Sequence, residues 1–232
     1  MTKDKIKLVA FDWNGTIFAD TNLVVRAMSH TLVKFRLKPT NLKELQHKMV
    51  VPFKLYWLAM GMKLKDFERN VLTIRKTYFT YYEPREGLCR TRAGSREILD
   101  WLETQKINKV IFSNHMESHI RKQLKRLEID SFKDILGFTT VEDTSLMHKR
   151  GKESQLEEYV IKNRLKPNEV LVVGDTTEEI EIGKKFGYVT VALSGGNSST
   201  RRLKATKPDH LIHHLKKLKN IIQDHGRTAA KN

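Results

Sequence analysis

The chain has 232 residues, 39% of them hydrophobic, with 43 Lys and Arg against 27 Asp and Glu for a net charge of +16. That length suffices for one domain with an insertion or for two small domains, and the apolar content suffices to bury a core. No run of about 18 apolar residues occurs, which excludes a helical membrane span. The single cysteine, Cys89, cannot form an intrachain disulfide, in keeping with a reducing cytoplasm.

Residues 1–5 lead straight into the first hydrophobic run and leave no room for a signal peptide, so a cytoplasmic location is expected. The basic excess is uneven. Segment 17–87 carries 13 basic and 6 acidic residues and segment 201–232 carries 9 and 2, whereas 88–200 is nearly balanced at 18 and 17. Such a field draws anionic ligands, although a Lys-rich solvated surface accounts for it equally well.

In chain order, Lys7-Leu8-Val9-Ala10-Phe11 is short and apolar and reads as a buried parallel strand. Residues 18–87 hold amphipathic helical patterns, Leu23/Met28/Leu32/Phe35 and Phe67/Val71/Ile74/Tyr78, punctuated by Pro39, Pro52 and Gly61. A helix over 96–102 follows, with Ser95 as its expected N-cap. A second strand over 109–112 ends at Ser113-Asn114-His115, and a helix runs through Ile120, Leu124 and Leu127. Ile135–Phe138 reads as a strand, 154–163 as a helix and Glu169–Val173 as the clearest strand, ending at Gly174-Asp175. A helix over 178–186, a strand over 189–193, a loop at 194–199 and a last helix near 209–222 complete the chain, with a frayed tail beyond Asp224. Strands alternating with helices imply a parallel sheet with right-handed crossovers, and the interval after the first strand is too long for one crossover.

Chemistry gathers at the ends of these strands. Asp12-Trp13-Asn14-Gly15-Thr16 follows the first strand, and a carboxylate there lies where open α/β sheets bind ligands. Gly15-Thr16 turns the backbone and offers a hydroxyl to an anion. Ser113 and the Asn114 amide stand at the end of the second strand, before a helix, where either a phosphoryl group or a simple helix cap is served. Gly174-Asp175-Thr176-Thr177-Glu178-Glu179 follows the clearest strand. Glu178 and Glu179 also suit a helix's first turn.

Together these motifs resemble those of the haloacid dehalogenase (HAD) superfamily, phosphatase branch, over almost the whole chain. The resemblance implies an α/β fold: a Rossmann-like parallel sheet flanked by helices, residues 1–17 and 88–224, with a helical C1-type cap over 18–87 and a tail at 225–232. It implies Asp12 as a nucleophile toward a phosphoryl group, Ser113 and Asn114 as phosphate ligands with Thr16, and a lysine that neutralises nucleophile and phosphate. Lys152 is the choice for that lysine, about 23 residues before Asp175, with Lys149 and Arg150 as rivals. Magnesium would be held by Asp12, the main-chain carbonyl of Asn14 and Asp175, with Glu179 standing where the family prefers Asp and reaching the ion through a water.

Asn14 departs from the pattern. Typical phosphatases of the family carry there an acid that protonates the leaving group, a function usually worth about 10²–10⁴-fold. The ten membrane helices of the transport ATPases are missing, and the acidic fourth motif argues against a metal-free dehalogenase. The expectation is a magnesium-dependent phosphatase of a small phosphorylated metabolite, such as phosphoglycolate, a sugar phosphate or a nucleotide, acting through an aspartyl-phosphate. Two alternatives stand beside it. One is a nucleotide or polynucleotide phosphatase that uses the basic cap and tail, with Arg75-Lys76 and the aromatic run 78–82 as its only nucleic-acid signal. The other is a non-catalytic phosphate-binding protein. His115, His119 and His148 match no closed zinc spacing and are discounted as metal ligands.

Overall fold

The computed structural model describes residues 5–140, 142, 144–148 and 151–228. Strand β1 (Leu8–Phe11) leads into four helices, α1 (Thr21–Lys34), α2 (Leu42–Lys48), α3 (Phe53–Ala59) and α4 (Leu64–Glu86). Then come α5 (Ser95–Thr104), β2 (Asn108–Met116), α6 (Glu117–Arg126), β3 (Asp134–Phe138), α7 (Ser145–His148) and α8 (Lys152–Lys162). The chain closes with β4 (Val170–Gly174), α9 (Thr177–Phe186), β5 (Val189–Leu193), α10 (Thr200–Ala205), β6 (His210–Ile212) and α11 (Lys217–Thr228).

The six strands form one sheet in the order β3-β2-β1-β4-β5-β6, every neighbouring pair parallel. β1 and β4 are buried along their whole length, because helices cover both faces and neither face meets water. One apolar cluster joins Val9, Phe11, Ile111, Leu171 and Val173 to Leu99 of α5, Ile120 of α6 and Leu218 of α11. Another, on the opposite face, joins Leu8, Ala10, Val110 and Val172 to Leu156 of α8 and Ile182 of α9. This strand order reverses direction beside β1, and the crevice at such a switch point, outside the carboxyl ends of the strands, is where doubly wound sheets bind ligands.

Helices α1–α4 hold a separate apolar cluster, built on Leu23, Leu32, Tyr56, Trp57, Phe67 and Tyr82. The chain leaves and re-enters the sheet at one place. Phe18 bridges Thr91, Ala19 N–H donates to the Arg90 carbonyl at 2.8 Å, and Arg92 N–H donates to the Ile17 carbonyl at 2.8 Å. The two connections thus run side by side as a double-stranded link between helices and sheet.

Three sequence expectations need correction. The last helix does not begin near 209: residues 210–212 form the edge strand β6, and the helix starts at Lys217. Three residues are too few to show a period, and β6 exists because β5 offers it an open edge. Ser95 is not an N-cap. Gly94 takes that position with φ of 83°, and Ser95 is the buried first helical residue. The second strand runs on past Phe112 to Met116 with a register break, so α6 begins only at Glu117.

Candidate active site

The carboxyl ends of β1, β2 and β4 bring the sequence motifs together. Asp12 follows β1 and donates its backbone N–H to the Val173 carbonyl at 2.9 Å, which ties it to β4. Asp175 follows β4 and is fully buried. The Thr16 hydroxyl donates to Asp175 Oδ1 at 2.9 Å and stands 3.5 Å from Asp12 Oδ2, so it links the two carboxylates. Asp175 Oδ2 accepts the Asn197 N–H at 2.5 Å. Gly15 and Gly196 permit this packing, since a Cβ on either would collide with the Asp175 carboxylate. At Gly15 the φ of 76° also favours glycine.

Lys152 is the first residue of α8, and its ammonium is buried among three carboxylates. It lies 3.2 Å from Asp12 Oδ1 and 3.4 Å from Glu178 Oε2, and it donates to Glu179 Oε1. Lys149 and Arg150 lie outside the described residues. Glu179 is also the N3 partner in a capping box of α9, with its Oε2 accepting the Thr176 N–H at 2.9 Å and the Thr176 hydroxyl at 2.6 Å. Ser113, nearly fully buried, lines the same cavity and accepts the His115 N–H at 3.2 Å. Asn114 Nδ2 donates to Glu178 Oε2 at 2.6 Å. Because α6 starts three residues later, Ser113 and Asn114 present strand backbone to the cavity and not a helix N-terminus.

Asp20, absent from the sequence argument, and Tyr82, which entered it only within the aromatic run 78–82, fix Asn14. Its Nδ2 donates to Asp20 Oδ2 at 2.7 Å and to the Tyr82 hydroxyl at 3.1 Å. Tyr82 in turn donates to Asp20 Oδ2 at 2.6 Å, and the Gly15 N–H donates to Asp20 Oδ1 at 2.9 Å. An aspartate at 14 would face the Asp20 carboxylate, whereas an amide supplies the donors that buried anion requires. Asp20 stands at the N-cap position of α1, but its side chain makes no capping bond and pairs instead across 62 residues to Tyr82. Arg92 is a second residue absent from the sequence argument. Its guanidinium donates to the Gly15 carbonyl at 2.6 Å and the Ser194 carbonyl at 2.8 Å, and so anchors the loops that carry the motifs. Arg75 of α4, which the sequence offered only as part of a nucleic-acid signal, is buried and lines the cavity from the helical side, among apolar residues such as Met28, Met49, Trp57 and Phe79.

The electrostatics follow from burial. Burial raises Asp12 well above the ordinary carboxylate range despite the neighbouring Lys152. Burial and the Glu179 charge push Asp175 up to about 7. Burial opposes the charge on Lys152, but Asp12, Glu179 and Glu178 outweigh it and hold that pKa well above the usual lysine value. Burial also opposes the charge on Glu179, and Lys152 overcomes it, so this carboxyl sits below its usual range. Four buried carboxylates therefore share one buried ammonium, and Arg92 is the next cation. Such an anionic excess fits a divalent cation, and the donors available (the Asp12 and Asp175 carboxylates and the Asn14 carbonyl) are all hard oxygens of the kind magnesium takes. Asn197 Nδ2 stands 3.5 Å from that carbonyl.

No helix among the described residues is long and apolar enough to cross a membrane. Pyrophosphatase PpaX of Bacillus thuringiensis (strain Al Hakam) is 25% identical over 230 residues, covering 97% of this chain and all of that one. Among solved structures, a haloacid dehalogenase-like hydrolase from Streptococcus pneumoniae superposes with a TM-score of 0.76 at 19% identity, over 95% of this chain and 100% of that one. A hydrolase from Pseudomonas syringae does so with 0.73 at 16%, over 95% and 99%. At these identities the two structures speak for the fold. The model of the haloacid dehalogenase-like hydrolase family matches residues 9–193, a span that runs from β1 to the end of β5 and contains every motif at the strand ends, and the chain belongs to that family.

Proposed function

We propose that the protein hydrolyses a small phosphorylated compound through an aspartyl-phosphate on Asp12, with magnesium as cofactor. The observation that carries this reading is Lys152, held 3.2 Å from Asp12 Oδ1 in a cavity that Ser113 also lines, with Asp175 joined to Asp12 through the Thr16 hydroxyl. Asp12 attacks phosphorus as its carboxylate, and the bond to the leaving group breaks. Lys152, the Ser113 hydroxyl and the Asn114 backbone N–H balance the charge on the phosphoryl oxygens. Water then attacks phosphorus, inorganic phosphate leaves and the carboxylate is regenerated. Asp12, the Asn14 carbonyl and Asp175 would hold the magnesium ion, while the Glu179 oxygens are engaged by Lys152 and Thr176. The ion would supply positive charge to both carboxylates and to the phosphoryl group.

Asn14 narrows the substrate class. Its Nδ2 hydrogens are directed to Asp20 and Tyr82, and an amide does not deliver a proton to a leaving alkoxide. The leaving groups that suit this site depart as stable anions: a phosphate, as in a pyrophosphate bond, a carboxylate or a phenolate. The name of the Bacillus relative agrees with the first of these. Arg75 on the cap side adds a cation for a second anionic group on the substrate. Phosphoglycolate, sugar phosphates and nucleotides remain in the test panel. Polynucleotides are disfavoured, because Phe79 and Tyr82 of the aromatic run are buried in α4 and offer no stacking platform.

The experiment is steady-state phosphate release from p-nitrophenyl phosphate, pyrophosphate and a metabolite panel, with magnesium and then with chelator, beside Asp12→Asn. Magnesium-dependent release that Asp12→Asn abolishes is expected. Absence of release from every compound, with phosphate analogues still bound, would make this a binding protein.

A further inference from the structure

Glu86, His115 and His119 form a cluster of potential ligands next to the cavity, which His115 lines. The three come from different elements: Glu86 ends α4, His115 stands near the end of β2, and His119 is in the first turn of α6. One ligand atom from each falls within 4.8 Å of the other two. We propose that this cluster is a second metal site, for a divalent transition ion such as zinc, which ties the end of α4 to the sheet.

Two imidazoles and one carboxylate are the ligand set that zinc accepts with a fourth position open to water, and the same set serves other first-row divalent ions. Zinc–nitrogen and zinc–oxygen bonds of about 2.0–2.1 Å place ligand atoms roughly 3.3 Å apart in a tetrahedron, so side-chain rotation must close the remaining gap. Glu86 is only half-buried and is free to make that movement.

The groups are in the state a metal needs. Burial, His119 and Arg75 depress His115 to about 3, and burial also lowers His119, so both rings are neutral at pH 7 with a lone pair to give. His119 Nδ1 is shielded from solvent and has no hydrogen-bond partner among the described residues. Its Nε2 lies 3.5 Å from Glu83 Oε1, the carboxylate–histidine arrangement that orients a metal-binding ring from behind. Burial raises Glu86 above its usual range, against the pull of the Gln123 hydrogen bond and of Arg126 and Lys122.

Gln123 marks the middle of the cluster. Its Oε1 accepts the Trp13 indole N–H at 2.5 Å, which fixes the orientation of the amide. Its Nε2 therefore faces inward, donating to Glu86 Oε2 at 2.8 Å and lying 3.3 Å from His115 Nε2. In the metal-free chain this amide holds the acceptors that the ion would take over. The histidines escaped the sequence pattern because their third partner lies 29 positions before His115 and on the cap helix.

The test uses the full chain in excess magnesium, which competes for the oxygen site at Asp12 and Asp175. Zinc bound per chain is measured by equilibrium dialysis, and its ligand shell by X-ray absorption, which counts imidazoles. One zinc with two imidazoles is expected. His119→Ala and Glu86→Ala should each weaken binding at least tenfold, with one imidazole left in the first. Gln123→Glu keeps an acceptor for Trp13 and adds a carboxylate at the centre, so it should tighten binding at least tenfold. That gain is readable even if a loss variant fails to fold. No zinc uptake by the wild type, a shell without imidazole, or an affinity unmoved by Gln123→Glu and by the loss variants that fold would overturn the proposal.

Discussion

Asp175→Asn tests the idea that the strand-end carboxylates are crowded in the absence of a cation. Asp175 is fully buried, and its pKa stands at about 7 against an ordinary 3.8. A carboxyl whose pKa is raised on folding stabilises the fold while it is protonated, and that contribution disappears as pH rises through the folded value. Between pH 5 and pH 8 the unfolded chain is already ionised at this position while the folded chain gives up its proton. Two pH units below the folded pKa correspond to about 3 kcal/mol. Asparagine does not titrate. It does lose an acceptor, because one of its two terminal atoms must face either the Thr16 hydroxyl or the Asn197 N–H, at a cost of about 1–3 kcal/mol that is independent of pH. The stability difference, variant minus wild type, should therefore shift by about 3 kcal/mol in favour of asparagine from pH 5 to pH 8, whatever its absolute sign. Urea unfolding in the presence of EDTA at the two pH values measures it. Magnesium at 100 times its Kd should then stabilise the wild type by about 2.7 kcal/mol at pH 8 and leave the variant nearly unmoved. A difference that stays constant with pH would refute the account of Asp175 as a desolvated, cation-seeking carboxylate.

Lys152→Met removes the only ammonium that the described residues place among Asp12, Glu178 and Glu179, and stranding buried charges typically costs about 3–5 kcal/mol. Chemical denaturation should show that loss, together with a loss of phosphate release. Asn14→Asp sets a second carboxylate against Asp20 and should destabilise the chain by about 1–3 kcal/mol at pH 8, whereas Asn14→Asp combined with Asp20→Asn exchanges donor and acceptor and should recover most of it in the same assay. Arg75→Ala should raise KM for pyrophosphate far more than for p-nitrophenyl phosphate, which has no second phosphoryl group for the cap cation to meet.

The hydrophobic pattern was enough to call β1, β2, β3, β4 and β5, because a strand buried on both faces must be a short apolar run whatever surrounds it. β6 was missed for the converse reason: His210-Leu211-Ile212 is only three residues long, one of them polar, and lies at the sheet edge, and its pairing with β5 has no local signature. Asp12, Ser113 and Asp175 were legible as candidates because each follows a strand end that the pattern marks, and Lys152 through its spacing from Asp175 in the family the chain resembles; Asp12, Ser113 and Lys152 line one cavity, and Thr16 links Asp175 to Asp12. Asp20 and Arg92 were not legible, and Tyr82 and Arg75 were read only as a nucleic-acid signal, since the contacts from Tyr82 to Asp20 and from Arg92 to Gly15 and Ser194 span 62 to 102 residues. Gly196 was readable only as a turn residue, and the collision of a Cβ there with Asp175 became visible once the loop had folded over β4.

The sequence by itself therefore determined the parallel α/β class, the strand-end motifs and the family resemblance, all of which rest on local periodicity and on residues adjacent to a boundary. Only the tertiary structure decided that the Asn14 amide is committed to Asp20 and Tyr82, that Glu179 reaches Lys152 of α8, and that Glu86 of the cap meets His115 and His119. These are contacts between side chains of distant elements, and their geometry is set by how the helices pack on the sheet.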